Sequence, residues 1–114
     1  MAKKILIIED DTVIATYLSD LFQDNGYETV VANDGVVGLE KIKSDRPDLI
    51  TLDIDLPHRS GTLLYASMRR DSEVRDIPVV VVSGVSPRLK KDLPTLSKPV
   101  DPTLLLRTVA EALN

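Results

Sequence analysis

The sequence of 114 residues contains no cysteine, no tryptophan and only one histidine. The absence of cysteine excludes disulfide bonds and thiolate metal sites, and it permits a reducing compartment. No apolar run approaches the roughly 20 residues that a membrane-spanning helix requires. The first apolar run, residues 5–8, is too short for a signal peptide. We therefore expect a cytoplasmic protein that does not associate with membranes.

The chain also lacks a strong excess of charge, with a formal net charge of −4 at pH 7. A mildly acidic chain repels the phosphate backbone of nucleic acids, so direct binding to DNA or RNA is not expected. Internal repeats, low-complexity segments and linkers are absent as well. Because this length fits one domain and not two, we assign residues 1–114 to a single domain.

Short apolar segments alternate along the chain with segments in which apolar residues recur at helical spacing. The predicted strands are residues 5–8, 29–32, 49–52, 79–82 and 95–97. Continuous apolar runs are typical of strands that are covered on both faces. Alternation of strands and helices predicts a parallel sheet with right-handed crossovers. The predicted fold class is therefore α/β, with a doubly wound sheet of parallel strands.

Turn and capping residues mark the boundaries of the predicted helices. The boundary positions are Asn25-Gly26, Asp34-Gly35, Gly61 and Asp101-Pro102. Apolar helix residues, among them Val13, Tyr17 and Leu63, are predicted to face the core. The single histidine, His58, lies in a predicted loop, where we expect a solvent-exposed side chain rather than a ligand.

Reactive side chains follow four of the predicted strands directly. In chain order they are Glu9 and Asp10, Asp53, Ser83, and Lys98. Binding sites of open parallel sheets form at the carboxyl ends of the strands, so we expect these side chains to converge. Taken alone, the acidic residues after the first strand would also fit the first turn of a helix.

The predicted cluster suits phosphoryl chemistry. Carboxylates of Glu9, Asp10 and Asp53 that lie close together would repel one another and lose solvation. A divalent cation relieves this repulsion, and hard oxygen ligands favour Mg²⁺, which often shares its coordination shell with a phosphate. Lys98 and the hydroxyl of Ser83 could neutralise the oxygens of a phosphoryl group on Asp53.

The ordered set of motifs resembles the receiver domain of bacterial response regulators in two-component signalling. The matching pieces are Ile5–Ile8 with Glu9-Asp10, Leu52–Gly61, Ile77-Pro78 with Val79–Ser83, and Lys98-Pro99. The resemblance covers nearly the whole chain. It implies a CheY-like, flavodoxin-like fold with strand order 2-1-3-4-5, and a phosphoprotein that is not a turnover enzyme. It also implies that a sensor histidine kinase or a phosphotransfer protein donates the phosphoryl group.

The resemblance assigns roles to the acidic residues. Asp53 would be the phosphoacceptor and would share in binding Mg²⁺. Asp10 would ligate the metal directly, and Glu9 would act directly or through water. Asp55 would offer its backbone carbonyl to the metal.

The resemblance also assigns roles at the ends of the last two strands. Ser83 would be the hydroxyl that turns toward the phosphoryl group, and Lys98 would pair with a phosphoryl oxygen. The Lys98-Pro99 peptide bond is expected to be cis. The output surface would be the face formed by the fourth helical segment, the fifth strand and the last helix. The downstream effector is unknown, and the sequence leaves a homodimer open.

The chain departs from the family pattern at three places. Only residues 84–97 separate Ser83 from Lys98, so the fourth helix is predicted to be short or missing. Thr95 stands where the family usually has Tyr or Phe, which removes the usual coupling to a rotating ring. The carboxylate of Asp55 is expected to alter the rate of dephosphorylation.

Two other functions remain open at this point. Asp53 and Asp55 also resemble the nucleophile and acid pair of haloacid-dehalogenase phosphatases. Pro57 and the absence of an acidic pair after Lys98 argue against that family. The second alternative is a receiver-like binding module that works without phosphorylation, which the residue at position 95 and the short fourth segment would allow.

Overall fold

The computed structural model describes residues 2–84 and 93–114 of the chain. One parallel sheet runs through it, with the order β2-β1-β3-β4-β5. Its strands are β1 (Lys4–Ile8), β2 (Glu28–Ala32), β3 (Leu49–Leu52), β4 (Val79–Ser83) and β5 (Thr95–Ser97). The predicted α/β class and strand order are therefore confirmed.

The described residues form four helices, each of which begins after a capping side chain. They are α1 (Thr12–Asp24), α2 (Gly35–Asp45), α3 (Gly61–Arg69) and α4 (Pro102–Leu113). Side-chain oxygens of the residues before them accept backbone N–H groups of the first turn, and these caps are Asp11, Asp34, Ser60 and Asp101. None of these helices is long and apolar enough to cross a membrane.

The prediction of a short or missing fourth helix concerns the connection between β4 and β5. Residues 85–92 of that connection lie outside the described residues. In the described parts of the chain, the helix that follows β4 in sequence is α4, after β5.

The sheet separates two apolar layers because successive residues of each strand point to opposite faces. One layer contains Leu6, Ile8, Ile50, Leu52 and Val81 against Ile42 of α2 and Leu64 and Met68 of α3. The other contains Ile5, Ile7, Leu49, Val80 and Val82 against Leu18 and Phe22 of α1 and Leu105 and Val109 of α4. With both faces covered, polar side chains gather where the strands end.

Three helix residues do not lie in the core as predicted. The exposed fractions are 76% for Val13, 45% for Tyr17 and 59% for Leu63. Helical spacing placed them on an apolar stripe, but the buried stripe of α1 runs through Ala15, Leu18 and Phe22. Val13 precedes Ala15 by two residues, which is about 200° around a helix and places it on the opposite side.

Candidate functional site

Backbone hydrogen bonds hold the strand ends together at the carboxyl edge of the sheet. The N–H of Asp53 donates to the carbonyl of Ile8 at 3.0 Å, which extends the pairing of β1 with β3. The N–H of Lys98 donates to the carbonyl of Ser83 at 3.2 Å and joins the ends of β4 and β5. The polar residues after these strands therefore share one edge, as predicted from the sequence.

The carboxylate of Asp53 lies at the centre of this edge and is only 4% exposed. Its Oδ1 accepts a hydrogen bond from the hydroxyl of Ser83 at 3.3 Å and another from the N–H of Asp55 at 3.2 Å. Its Oδ2 accepts from the ammonium group of Lys98 at 3.2 Å. Both oxygens are thus positioned by donors from neighbouring strand ends.

Glu9 is the second buried carboxylate of the site, with 1% of its surface exposed. Its Oε1 lies 2.6 Å from Nζ of Lys98, and its Oε2 accepts the N–H of Asp11. Burial raises the pKa of Glu9 from its ordinary value of 4.5 to about 7, although the hydrogen bond from Lys98 acts in the opposite direction.

Lys98 bridges the two buried carboxylates. Burial by itself would lower the pKa of Lys98, but the hydrogen bond and charge of Glu9, together with Asp53, raise it above its ordinary value. The ammonium group therefore carries its positive charge near neutral pH. The Lys98-Pro99 peptide bond that follows is cis, as predicted.

The carboxylates form a group that fits a hard divalent cation. Ligand oxygens of Glu9, Asp10 and Asp53 lie within 4.8 Å of one another. Asp10 is exposed, so a metal held there would keep water molecules in its shell, as Mg²⁺ does. The pocket around the group has a volume of about 250 Å³, and Asp55 also lines it. These oxygen donors match Mg²⁺ better than a thiophilic or nitrogen-seeking metal.

The loop between β3 and α3 turns tightly over the phosphoacceptor candidate. The N–H of Gly61 donates to the carbonyl of Ile54 at 2.9 Å. A side chain at Gly61 would collide with the backbone of Asp53 and Ile54, so only glycine allows α3 to begin this close to the site.

Comparison with known proteins identifies the family. Residues 5–110 match the sequence model of the response regulator receiver domain. The chain belongs to this family. It is 36% identical over 116 residues to the protein Rrf1 of Nitratidesulfovibrio vulgaris, with 99% of this chain and 84% of Rrf1 covered.

Other relatives support the same assignment. The polar-differentiation response regulator DivK of Brucella anthropi is 37% identical over 84 residues, which cover 74% of this chain and 68% of DivK. A CheY-like response regulator receiver domain protein from Methanospirillum hungatei superposes with a TM-score of 0.89 at 28% identity. That superposition covers 99% of this chain and 94% of the other.

Family membership gives the site its general context. Phosphorylation by a histidine kinase is the general function of receiver domains, which interact with such kinases or with phosphotransfer proteins. They are signalling domains rather than conventional enzymes, and they bind Mg²⁺ at an acidic pocket. In this receiver domain, an acidic group lies at the carboxyl edge of the sheet.

An apolar groove beside the acidic pocket was not predicted from the sequence. It has a volume of about 400 Å³, and its lining residues are Val13, Ile14, Tyr17, Val82, Lys98, Pro99 and Val100. Ile14 and Lys98 line both the groove and the acidic pocket. No separate signal in the sequence marks it, because Val13 and Tyr17 recur at the same helical spacing as the buried residues of α1.

Proposed function

We propose that this receiver domain accepts a phosphoryl group on Asp53 in a Mg²⁺-dependent reaction. The observation that carries the proposal is the buried carboxylate of Asp53, which accepts hydrogen bonds from Ser83 and Lys98 and lies within the acidic group. Hydrogen-bonded and charged partners of this kind neutralise the oxygens of a phosphoryl group during transfer.

The residues of the site would share the work of the transfer. An oxygen of Asp53 forms a bond to phosphorus while the bond from phosphorus to the imidazole nitrogen of the donor breaks. Lys98 exchanges its contact with the Asp53 carboxylate for a phosphoryl oxygen, and Ser83 donates its hydroxyl hydrogen to another. Mg²⁺ held by Glu9, Asp10, Asp53 and the carbonyl of Asp55 would supply positive charge against the carboxylates and the phosphoryl oxygens.

The apolar groove fits the docking of the protein that donates the phosphoryl group. Val13 and Tyr17 are exposed there, and the groove adjoins the acidic pocket through Ile14 and Lys98. A helix of a histidine kinase or phosphotransfer protein, seated in the groove by its apolar face, would bring a phosphohistidine to the site.

A cytoplasmic location belongs to the same proposal, because a chain without cysteine is compatible with a reducing compartment.

Phosphorylation would switch the face formed by β5 and α4. Ser83 is the last residue of β4 and Lys98 directly follows β5, so movement of either side chain is transmitted to that face. Thr95 of β5 is exposed, and its hydroxyl donates to the carbonyl of Leu93. Thr95 has no aromatic ring that could rotate on phosphorylation, as the usual Tyr or Phe would. The signal would therefore reach the output surface through the backbone of β5.

The alternative functions are less well supported. Membership of the receiver family argues against a haloacid-dehalogenase phosphatase. A module that works without phosphorylation would have no need for the group of Glu9, Asp53, Ser83 and Lys98, each of whose side chains lies within hydrogen-bonding distance of another.

We further propose that the carboxylate of Asp55 changes the lifetime of the phosphoryl group on Asp53. An equal lifetime in Asp55→Asn and in the wild type would discard this idea.

Binding of beryllofluoride, which mimics a phosphoryl group on a carboxylate, tests the proposed site. Titration of the domain with beryllofluoride in the presence of Mg²⁺, followed by NMR, is expected to shift resonances around Asp53, Ser83 and Lys98. Asp53→Asn removes the acceptor carboxylate with little change in size and is expected to abolish the response. Equal binding by the variant would contradict the assignment of the acceptor.

A further inference from the structure

The segment that links β2 to α2 contacts the loop that follows β1. The side-chain amide of Asn33 donates to the carbonyl of Glu9 at 3.2 Å. The N–H of Glu9 donates to the carbonyl of Ala32 at 2.9 Å. The residue that supplies one buried carboxylate of the site is therefore fixed by two hydrogen bonds, one from Asn33 of the linking segment and one to Ala32 at the end of β2.

The same segment contacts the loop that follows β3. The N–H of Gly35 donates to the carbonyl of Pro57 at 3.4 Å, and Nδ1 of His58 lies 3.3 Å from Oδ2 of Asp34. A side chain at Gly35 would collide with the backbone of Arg59, so only glycine lets the loop lie this close. Three consecutive residues, 33–35, thus contact both loops that carry the acidic site.

The backbone of His58 has an unusual conformation beside this contact. Its φ is 68°, in the left-handed region that residues other than glycine seldom adopt. Asp34 is itself held in place, because its Oδ1 accepts the N–H of Val37 at 2.8 Å as the cap of α2. That hydrogen bond is the main reason why the pKa of Asp34 lies below its ordinary value, and the charge of His58 lowers it further.

A cation at this site needs ligands from both loops at once. Glu9 and Asp10 come from the loop after β1, and Asp53 comes from the end of β3. Lys98 offsets part of the repulsion between Glu9 and Asp53, but without a divalent cation the remaining repulsion among the three carboxylates favours separation of the two loops. Mg²⁺ demands nearly ideal octahedral geometry, so contacts that oppose the separation raise its affinity.

We propose that Asn33, Asp34, Gly35 and His58 form a clamp that holds the two acidic loops at the spacing that Mg²⁺ requires. His58 is a positioning residue in this clamp and acts through Asp34. The clamp rests on the proposed function of the acidic pocket as a Mg²⁺ site. It gives a role to a histidine whose side chain is 70% exposed, as expected from the sequence, and which lies outside the acidic pocket.

Calorimetric titration with Mg²⁺ tests the clamp with His58→Asn, Asp34→Asn and the double variant. Asparagine tolerates the left-handed conformation at position 58 and still caps a helix at position 34. Each single variant is expected to bind Mg²⁺ about two- to fivefold more weakly, the range that corresponds to loss of one exposed contact between polar side chains. Because the two residues act as a pair, the double variant is expected to lose no more than the weaker-binding single variant.

Glu73→Gln is the matched control. It breaks the exposed ion pair of Arg46 with Glu73, 2.9 Å long, in which Arg46 caps the other end of α2. This variant is expected to keep the wild-type affinity for Mg²⁺, and thermal unfolding without Mg²⁺ verifies that every variant is folded.

The outcomes separate the clamp from the proposed function. Wild-type affinity in His58→Asn and Asp34→Asn, additive losses in the double variant, or an equal loss in Glu73→Gln would each overturn the clamp and leave the Mg²⁺ site intact. Failure of the wild-type domain to bind Mg²⁺ would overturn the proposed function and the clamp with it.

Discussion

At the scale of single residues, the buried carboxylate of Glu9 is the group of the site whose charge is most destabilised by burial. Burial penalises the negative charge of its carboxylate. Among the described residues, Lys98 at 2.6 Å and the N–H of Asp11 contact this carboxylate, and they offset the penalty only in part. A proton or a metal ion relieves it, so the two compete for the same carboxylate.

The raised pKa of Glu9 predicts how pH acts on the domain without metal. The folded state holds the proton up to about pH 7, whereas the ordinary pKa is 4.5. The stabilising contribution of the protonated group is present below pH 4.5 and is lost as pH rises through about 7. Thermal unfolding without metal at pH 5 and pH 8 is therefore expected to show a larger loss of stability for the wild type than for Glu9→Gln. Equal pH dependence of the stability of the two proteins would contradict the raised pKa of Glu9.

Thr51 is a second residue whose environment leads to a prediction. It lies in the middle of β3, is 1% exposed, and its hydroxyl has no hydrogen-bond partner within the described ranges. Replacement by valine removes the buried hydroxyl with almost no change of shape, so Thr51→Val is expected to stabilise the fold by about 1 kcal/mol. Chemical denaturation measures this, and a destabilised variant would mean that the hydroxyl is hydrogen-bonded in solution.

At the scale of elements, strand boundaries and helix starts could be predicted because their causes are local. The runs at 49–52 and 95–97 match β3 and β5, and Asp34 and Asp101 cap the helices that the sequence indicated. Which apolar side chains stay exposed could not be predicted from spacing alone, because exposure depends on which layer each helix packs against. Val13, Tyr17 and Leu63 are the residues on which that prediction was wrong.

The exposed face of α1 predicts a specific defect in phosphotransfer. Val13→Glu places a charge in the apolar groove at a position that is already 76% exposed, so folding is expected to be unaffected. Transfer from a histidine kinase that phosphorylates the wild type is expected to fall at least about tenfold, because docking would bury the new carboxylate in an apolar interface without a partner. Phosphorylation by acetyl phosphate is expected to stay unchanged.

Leu63→Glu on α3 is the matched control for the groove. Leu63 is also exposed but does not line the groove, so the same change there is expected to leave transfer from the kinase intact. Comparable losses in the two variants would show that the effect comes from added charge rather than from docking at the groove.

At the scale of the whole molecule, the parallel topology explains how distant residues meet. Every strand of the parallel sheet ends at the same edge, so the residues that follow β1, β3 and β5 come together. Glu9 and Lys98 meet in this way although they lie 89 positions apart in the sequence. This convergence could be predicted from strand order and the polar residues at strand ends. The contacts of Asn33 and Asp34 with two loops could not, because they depend on how closely the loops pack.

Direct phosphorylation is the measurement that tests the central claim. The domain would be incubated with acetyl phosphate and Mg²⁺, and its intact mass would be measured together with that of Asp53→Asn. A single added phosphoryl group on the wild type, lost without Mg²⁺ and absent from the variant, is the predicted result. No added mass on a folded wild-type domain, or equal addition to Asp53→Asn, would contradict the account.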